Sequence, residues 1–205
     1  MAVKSSFKNM TLCLLAICLV CSALLGGVQQ LTKEPIAAAA AAKNEAAIKA
    51  VLPDVAVAIE EEREVEYQGK NYKYNLAYTE NGEVAGVAIN VASVGFGGPI
   101  EIKVGFDANG VIWNTKVLSQ AETPGLGAKC VEPAFSDQFK GFDPAQKKLT
   151  VKKDGGDVDA ITASTITSRA YSAALQTAVK VFQTIAGTPM PLDEVSGATV
   201  NTVEE

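Results

Sequence analysis

The sequence predicts an α+β fold, with an antiparallel sheet and flanking helices behind one N-terminal transmembrane helix. Three observations lead to this expectation. No charged residue occurs between Lys8 and Lys33, and that stretch is almost wholly apolar. Between positions 72 and 118, runs rich in alternating or β-branched residues are separated by turn residues, as in sheets built from hairpins. Later in the chain, apolar residues recur at helical spacing between Tyr171 and Ile185.

Composition limits the kinds of function that the chain can have. Its 205 residues carry a net charge of −5 and include no histidine. An acidic chain is a poor partner for nucleic acid, so no nucleic-acid partner is expected. Three of the four cysteines lie in the apolar stretch, which leaves Cys130 alone and excludes a disulfide within the soluble part. We expect no metal site and no catalytic residue, because the commonest metal ligand and general base is missing.

The apolar stretch predicts a membrane span. Residues 11–31 are long enough to cross a bilayer core, which takes about 20 residues. Lys4 and Lys8 place residues 1–10 in the cytoplasm by the positive-inside rule. The chain is then a single-pass protein of the cytoplasmic (inner) membrane, with its bulk on the extracytoplasmic, periplasmic side. A cleaved signal peptide is the alternative, since the same lysines resemble its basic start.

A helical stalk is predicted over residues 33–53. Six consecutive alanines, 37–42, favour a helix from Pro35 to Leu52. Proline suits the first turn of a helix, and Pro53 is expected to end it.

The remaining elements are assigned to a domain at 54–187. Asp107-Ala108-Asn109-Gly110 is a strong hairpin turn signal. A short helix is predicted from Pro133 to Phe139. The predicted strands are Tyr72–Tyr78, Glu83–Val94, Ile100–Phe106, Val111–Leu118 and Leu149–Lys152.

A cluster of hydroxyl side chains precedes the last helix. It consists of Thr162, Ser164, Thr165, Thr167 and Ser168. The first backbone N–H groups of a helix have no internal partner, and with the helix dipole they favour a phosphate. Ordinary N-capping by Ser or Thr is the alternative, although one cap needs only one hydroxyl.

A second informative stretch is the loop Glu122-Thr123-Pro124-Gly125-Leu126-Gly127. Pro-Gly sets a turn, and two glycines allow backbone to approach a flat or charged group closely. By itself, such a loop is more often an ordinary strand ending.

Together these stretches resemble a known family. Asp159, Thr162 and Thr165 are similar to the flavinylation motif of FMN-binding domains, Asp-x-x-(Ser/Thr)-Gly-Ala-Thr, except that Ala163 and Ser164 replace its Gly and Ala. The Glu-Thr-Pro-Gly-Leu-Gly loop and the Gly-Phe-Gly-Gly-Pro-Ile run at 95–100 are typical of the same family. With its anchor, the chain resembles the G subunits of Rnf-type ion-translocating electron transport complexes. The C subunits of sodium-pumping NADH:quinone oxidoreductases are their relatives.

The resemblance implies a function and a site. A flavin transferase would attach FMN, taken from FAD, through its phosphate to Thr165. The protein would pass electrons within a membrane complex that couples ferredoxin and NAD to ion movement, and it would not be catalytic alone. Its partners would be the other membrane and peripheral subunits. The implied cofactor residues are Thr165, Thr162, Asp159, Ser164, Thr167, Ser168, Glu122, Thr123, Gly125, Leu126 and Gly127.

The tail at 188–205 repeats the motif. Asp193 to Thr199 matches the flavinylation pattern without departure, so Thr199 is a possible second covalent site. The alternative is a tail that resembles the motif by chance or descent. Thr165 is preferred because a helix follows it.

Two other functions remain open from sequence. One is a membrane-anchored, non-redox binding module for a phosphorylated ligand. The other is a covalent flavoprotein component of a different extracytoplasmic or NADH:quinone reductase. Trp113 is expected in the core, with stacking on the flavin as the alternative.

Overall fold

The structure is a computed structural model that describes residues 7–187, and the chain divides into two compact units at Asn44 and Glu45. The N-terminal unit consists of the first part of helix α1, Phe7–Val51. Its mean hydropathy reaches 2.5 over an 18-residue window, none of which is buried. A helix this long and apolar is able to cross a membrane.

Helix α1 corrects one expectation. The prediction that a second helix begins at Pro35 is wrong, since α1 runs continuously through Pro35. An internal proline removes one helical hydrogen bond and costs about 3 kcal/mol. Here it lies between a leucine-rich segment and the alanine run, whose high helix propensity favours continuation on both sides. The helix ends at Val51, as expected from Pro53.

As far as Gly187, the second unit contains one antiparallel sheet of six strands in the order β1-β3-β4-β5-β6, with β2 also paired to β3. Four of the five predicted strands are confirmed to within one or two residues. The strands are β1 Ala58–Ile59, β2 Arg63–Tyr67, β3 Lys70–Tyr78, β4 Val84–Val94, β5 Pro99–Asp107 and β6 Ile112–Ser119.

Two differences concern short elements. The prediction did not include β1 and β2. Strand β1 has only two residues, both exposed. Strand β2 is mostly charged and exposed, and backbone pairing holds it to β3. Its available signal was the Gln68-Gly69 turn, where both residues have positive φ. The predicted strand at Leu149–Lys152 is wrong. Only Val151 forms a bridge, to Val158, and the chain then turns through Lys152–Asp154.

One face of the sheet packs against the C-terminal helix α3, Thr165–Ala186. The predicted apolar face of this helix is confirmed: Tyr171, Leu175, Ala178 and Phe182 are buried, and Ile185 is half-buried. The Phe182 ring stacks on Phe106 with 4.9 Å between centroids. The Tyr171 hydroxyl is hydrogen-bonded to that of Thr115 at 2.8 Å. The predicted short helix is confirmed as α2, Pro133–Ser136, followed by one 3₁₀ turn at Asp137–Phe139.

The other face receives the end of α1. A side chain at Gly105 would place its Cβ 1.7 Å from the Val51 carbonyl oxygen, so only glycine allows this approach. Ile48, Val51 and Leu52 are buried there with Ala77 and Ala88. The resulting layers are helix, sheet, helix, which is the predicted α+β class.

Candidate functional site

Three segments meet at one end of the sheet. Val94 pairs with Pro99, and Glu101 pairs with Ser119, so the end of β4, the start of β5 and the end of β6 are adjacent. The turn at 95–98 and the loop at 120–127 therefore leave the same edge. The N-terminus of α3 is the third segment, and Glu122 connects it to the other two.

The carboxylate of Glu122 is the centre of this arrangement. The residue is only 6% exposed. One of its oxygens, Oε1, accepts a hydrogen bond from the Gly97 N–H at 3.0 Å, and the other, Oε2, accepts one from the Thr167 hydroxyl at 2.8 Å. Such charge-assisted bonds satisfy a buried carboxylate and fix the segments that donate them. Glu122 thus braces the site.

The glycines beside Glu122 have a related role. A Cβ at Gly95 would lie 2.1 Å from Glu122 Oε1, and one at Gly127 would lie 2.3 Å from Oε2 and 2.6 Å from Thr167 Oγ1. These glycines make room for the carboxylate. Gly125 differs: a Cβ there would meet no atom of residues 7–187 within 4 Å, and its φ of 78° shows that it serves the turn.

The N-terminus of α3, here called the helix mouth, is not capped by a side chain of the described residues. Ser164 is the N-cap residue, but its side chain makes no capping hydrogen bond. Within residues 7–187, the N–H groups of Thr165, Ile166 and Thr167 have no hydrogen-bond partner, and the first bonded N–H is that of Ser168, to the Ser164 carbonyl oxygen at 3.1 Å. The N-capping alternative is therefore wrong for Ser164. Three donors and the positive end of the helix dipole remain available to an anion.

Apart from that of Ser164, the hydroxyls of the cluster divide into two groups. Thr167 is bonded to Glu122, and the Ser168 hydroxyl accepts from the Ile161 N–H at 2.9 Å and donates to the Ser164 carbonyl oxygen at 3.0 Å. Thr162 is exposed and Thr165 half-buried, and in the described part of the chain their hydroxyls have no hydrogen-bond partner. The buried pair of Thr167 and Ser168 holds the turn in place, whereas the hydroxyls of Thr162 and Thr165 are unengaged within residues 7–187.

The turn before α3 contains a strained residue. Ala163 has a φ of 61°, in the left-handed region that favours glycine. A side chain in this region costs roughly 1–2 kcal/mol. This is also the position at which the chain departs from the glycine of the flavinylation motif.

Asp159 lies on the surface near this turn. Its carboxylate forms an exposed ion pair with Lys152 at 2.8 Å, and its N–H donates to Gln138 Oε1 at 2.7 Å. A second pair joins Arg169 to Asp154 through two bonds of 2.7 and 2.8 Å, and it lowers the pKa of that carboxyl below its usual value. These contacts anchor the chain on both sides of the hydroxyl cluster.

Cys130 follows the loop in a 3₁₀ turn at Gly127–Val131 and is buried. Burial, with a smaller contribution from the Glu122 charge, raises the pKa of its thiol to about 11. The thiol is thus neutral near pH 7 and unsuited to nucleophilic chemistry.

Most sequence-predicted site residues are brought to this end of the sheet. Thr162, Ser164 and Thr165 lie at the helix mouth, while the loop contributes Glu122 and the largely exposed Thr123, Gly125 and Leu126. Asp159 is turned to Lys152 instead. Thr199 lies outside the described residues. Sequence reasoning missed the part played by Gly95 and Gly97, whose signal was the glycine-rich turn between two strands.

Trp113 lies elsewhere. It is near the start of β6, whose far end leads to Glu122, so about 20 Å of strand separates it from the site. At 43% exposed, it is not in the core either. Both sequence-based expectations for Trp113 are therefore wrong. No group of three or more potential metal ligands occurs among residues 7–187.

Comparison with known proteins gives a consistent result. Residues 95–180 match the family model of the FMN-binding domain, and residues 1–51 match that of the RnfG N-terminal region. The G subunit of the ion-translocating oxidoreductase complex of Escherichia coli K12 is 34% identical over 176 residues, which cover 79% of this chain and 84% of that protein.

Other relatives match over a shorter stretch. The G subunit of the Na(+)-translocating ferredoxin:NAD(+) oxidoreductase complex of Acetobacterium woodii is 34% identical, covering 51% of this chain and 53% of that protein. The corresponding G subunit of Vibrio vulnificus is 38% identical, with 52% and 53% covered. Against these two, the chain spans about half of the relative's length.

A solved structure is also similar. It is the C subunit of the Na(+)-translocating NADH-quinone reductase of Parabacteroides distasonis, at 20% identity and a TM-score of 0.48, with 72% of this chain and 84% of that chain covered.

The glycine-rich turn, the loop and the helix mouth all fall within the matched FMN-binding domain. The E. coli match extends over most of both chains. The chain therefore belongs to the family of G subunits of ion-translocating oxidoreductase complexes and contains an FMN-binding domain.

Proposed function

We propose that the protein is a membrane-anchored electron-transfer component of an ion-translocating ferredoxin:NAD oxidoreductase complex, carrying FMN linked through its phosphate to Thr165. The observation that carries the proposal is the open mouth of α3. Thr165 is the first residue of that helix, its hydroxyl is unengaged within residues 7–187, and its N–H belongs to a set of three without partners there.

The residues at this end of the sheet fit such a cofactor. A phosphate ester on Thr165 would lie against the free N–H groups and the helix dipole, both of which favour negative charge. Thr162 offers a second hydroxyl one turn earlier. The exposed Thr123, Gly125 and Leu126 provide a polar and apolar surface for the rest of the molecule. When bound, the isoalloxazine ring supplies the electron transfer, and the protein supplies position and electrostatics.

Attachment requires a partner enzyme, a flavin transferase that uses FAD. The Thr165 hydroxyl oxygen would form a bond to the phosphorus nearer the riboflavin, the pyrophosphate P–O bond would break, and AMP would leave. The hydroxyl proton passes to solvent or to a base of the transferase. A covalent link keeps the cofactor from diffusing away once the domain is outside the cytoplasm.

The anchor determines where this domain works. We infer that residues 11–31 span the membrane uncleaved, that residues 1–10 are cytoplasmic, and that the domain lies on the periplasmic side. Lys4 and Lys8 support this orientation. The anchor would hold the flavin near the other membrane and peripheral subunits of the complex, which the names of the relatives' complexes support as partners.

Peptide mass spectrometry on the full chain, made in membranes together with its transferase, tests the proposal. Trypsin should cut after Lys153 and Arg169, which isolates Thr162, Thr165 and Thr167, while Thr199 falls in the fragment after Lys180. We expect an FMN-sized addition on Thr165. Thr165→Val should abolish it, because the acceptor oxygen is lost, whereas Thr162→Val should keep it.

Other outcomes assign the function differently. Addition on the tail alone would move the flavin to Thr199. If neither fragment is modified while the transferase is active, the non-redox module for a phosphorylated ligand becomes the better account. Copurification with components of a different reductase would favour the second sequence-based alternative.

A further inference from the structure

Three exposed apolar residues are sequence neighbours of the residues that contact the Glu122 carboxylate. Each is the residue directly before one that contacts this carboxylate: Phe96 before Gly97, Leu126 before Gly127, and Ile166 before Thr167. Their side chains are 72%, 43% and 53% exposed, respectively. They come from the three segments of the site, one from each.

Their proximity follows from the contacts of Glu122. Gly97 and Thr167 are hydrogen-bonded to the carboxylate, and Gly127 leaves no room for a Cβ beside it. Adjacent Cα atoms are about 3.8 Å apart, so the Cα atoms of the three apolar residues all lie within about 10 Å of the carboxylate. Exposed large apolar groups gathered this closely at a polar site are typical of a binding surface.

The surface is held firmly on each side. The turn that carries Phe96 is closed by a bond from the Gly95 N–H to the Gly98 carbonyl oxygen at 2.8 Å, and Gly97 ties it to Glu122. Leu126 lies in a turn closed by its own N–H to the Thr123 carbonyl oxygen at 3.1 Å. Ile166 belongs to the first turn of α3. A pre-organised surface loses little entropy on binding.

We propose that Phe96, Leu126 and Ile166 form an apolar platform that covers one face of the isoalloxazine ring of the FMN on Thr165. The platform rests on the function proposed above and adds Phe96 and Ile166 to the site. Ile166 directly follows the attachment residue, so a tethered ring is present at high effective concentration. A flat aromatic ring also suits Phe96, because aromatic pairs gain stability beyond their buried area. None of the three side chains is charged, which suits the ring rather than the phosphate.

The test uses the full chain, flavinylated by its transferase, and measures quenching of flavin fluorescence by iodide. Phe96→Ala should leave the FMN-sized addition on Thr165 unchanged and raise the quenching constant roughly two- to tenfold, the range that loss of one aromatic contact implies. Phe96→Tyr should behave like the wild type. Trp113→Ala is the matched control, an exposed aromatic residue at the other end of β6, and should leave quenching unchanged.

Two further results separate the platform from the function on which it rests. Unchanged quenching in Phe96→Ala and also in Ile166→Ala, with flavin on Thr165, would overturn the platform and leave the function standing. Loss of the other subunits on purification of Phe96→Ala, without a change in quenching, would overturn it in favour of a protein-docking surface. Wild-type protein without flavin on Thr165 would overturn both. Since Phe96 is 72% exposed, its truncation should not prevent folding, and Ile166→Ala tests the same ring face independently.

Discussion

Two buried charged residues lie in different regions of the domain, and their surroundings differ. Glu122, in the loop after β6, receives one hydrogen bond on each oxygen, from Gly97 and Thr167. Lys103, on the β5 face away from α3, is fully buried, and in the described part of the chain its ammonium makes one hydrogen bond, to Asn75 Oδ1 at 3.2 Å. Next to it in register is Asn90, whose buried Oδ1 has no hydrogen-bond partner among residues 7–187.

The difference shows that a buried charge can hold segments together when its hydrogen bonds are satisfied, and that it lowers stability when they are not. A carboxylate with both oxygens satisfied joins three segments that are far apart in sequence, which is what a binding site needs. An ammonium with one acceptor remains incompletely solvated by the protein. Burial accordingly lowers the pKa of Lys103 to about 8. At Glu122, the two hydrogen bonds offset the free energy that is lost when the carboxylate leaves water.

The largest expected effect is the loss of stability when the Glu122 carboxylate is removed. Glu122→Ala removes two charge-assisted bonds and leaves the Gly97 N–H and Thr167 hydroxyl without partners, so the free energy of unfolding should fall by about 3–5 kcal/mol. Urea unfolding of the full chain in detergent measures this. Glu132→Ala, an exposed glutamate nearby whose side chain makes no capping bond, should change stability by less than about 0.5 kcal/mol. Equal stability of the two variants would mean that Glu122 is not a brace.

The next effect concerns Lys103 and pH. Its pKa is about 8 in the folded chain and near 10.5 when exposed, so the unfolded state binds more protons between these values. Stability should therefore rise as the pH increases from about 8 to 10.5, and the cost of the buried charge is fully present below pH 8. The gain is at most about 3 kcal/mol.

The matched variant for this effect is Lys103→Met. Other groups also titrate in this range, notably Cys130, whose raised pKa makes stability fall at high pH. The quantity to measure is thus the difference in unfolding free energy between wild type and Lys103→Met as a function of pH. A difference that does not vary between pH 7 and 10 would contradict the asymmetry between the two charges.

The smallest expected effect concerns the backbone strain at Ala163, in the turn before α3. Ala163→Gly relieves the strain of a φ of 61° but gives the unfolded chain more freedom, for a net gain of roughly 0.5–1 kcal/mol. Thermal unfolding should show a modestly higher midpoint. Ala173→Gly, within helix α3, has no strain to relieve and should be destabilising by about 1 kcal/mol. A lower midpoint for Ala163→Gly would show that the turn is not strained.

Local patterns were sufficient for most of the fold. The β3 to β6 strands, the hairpin at Asp107, the apolar face of α3 and the long apolar helix all follow from spacing within one element. Two local signals gave wrong predictions. Proline at position 35 predicted the start of a helix, but α1 continues through it. The β-branched residues at Leu149–Lys152 predicted a strand, but they form one bridge only.

The sequence by itself determined most of the longer elements, because periodic burial and turn chemistry depend on neighbours a few residues apart. It also placed Thr165 at a helix mouth. Only the tertiary structure decided which hydroxyls are engaged and what Glu122 does. Glu122 bonds to partners 25 and 45 residues away, and Trp113 lies far from the site although both belong to the same stretch of chain. Such contacts are fixed by strand register and helix packing, which no short window of sequence contains.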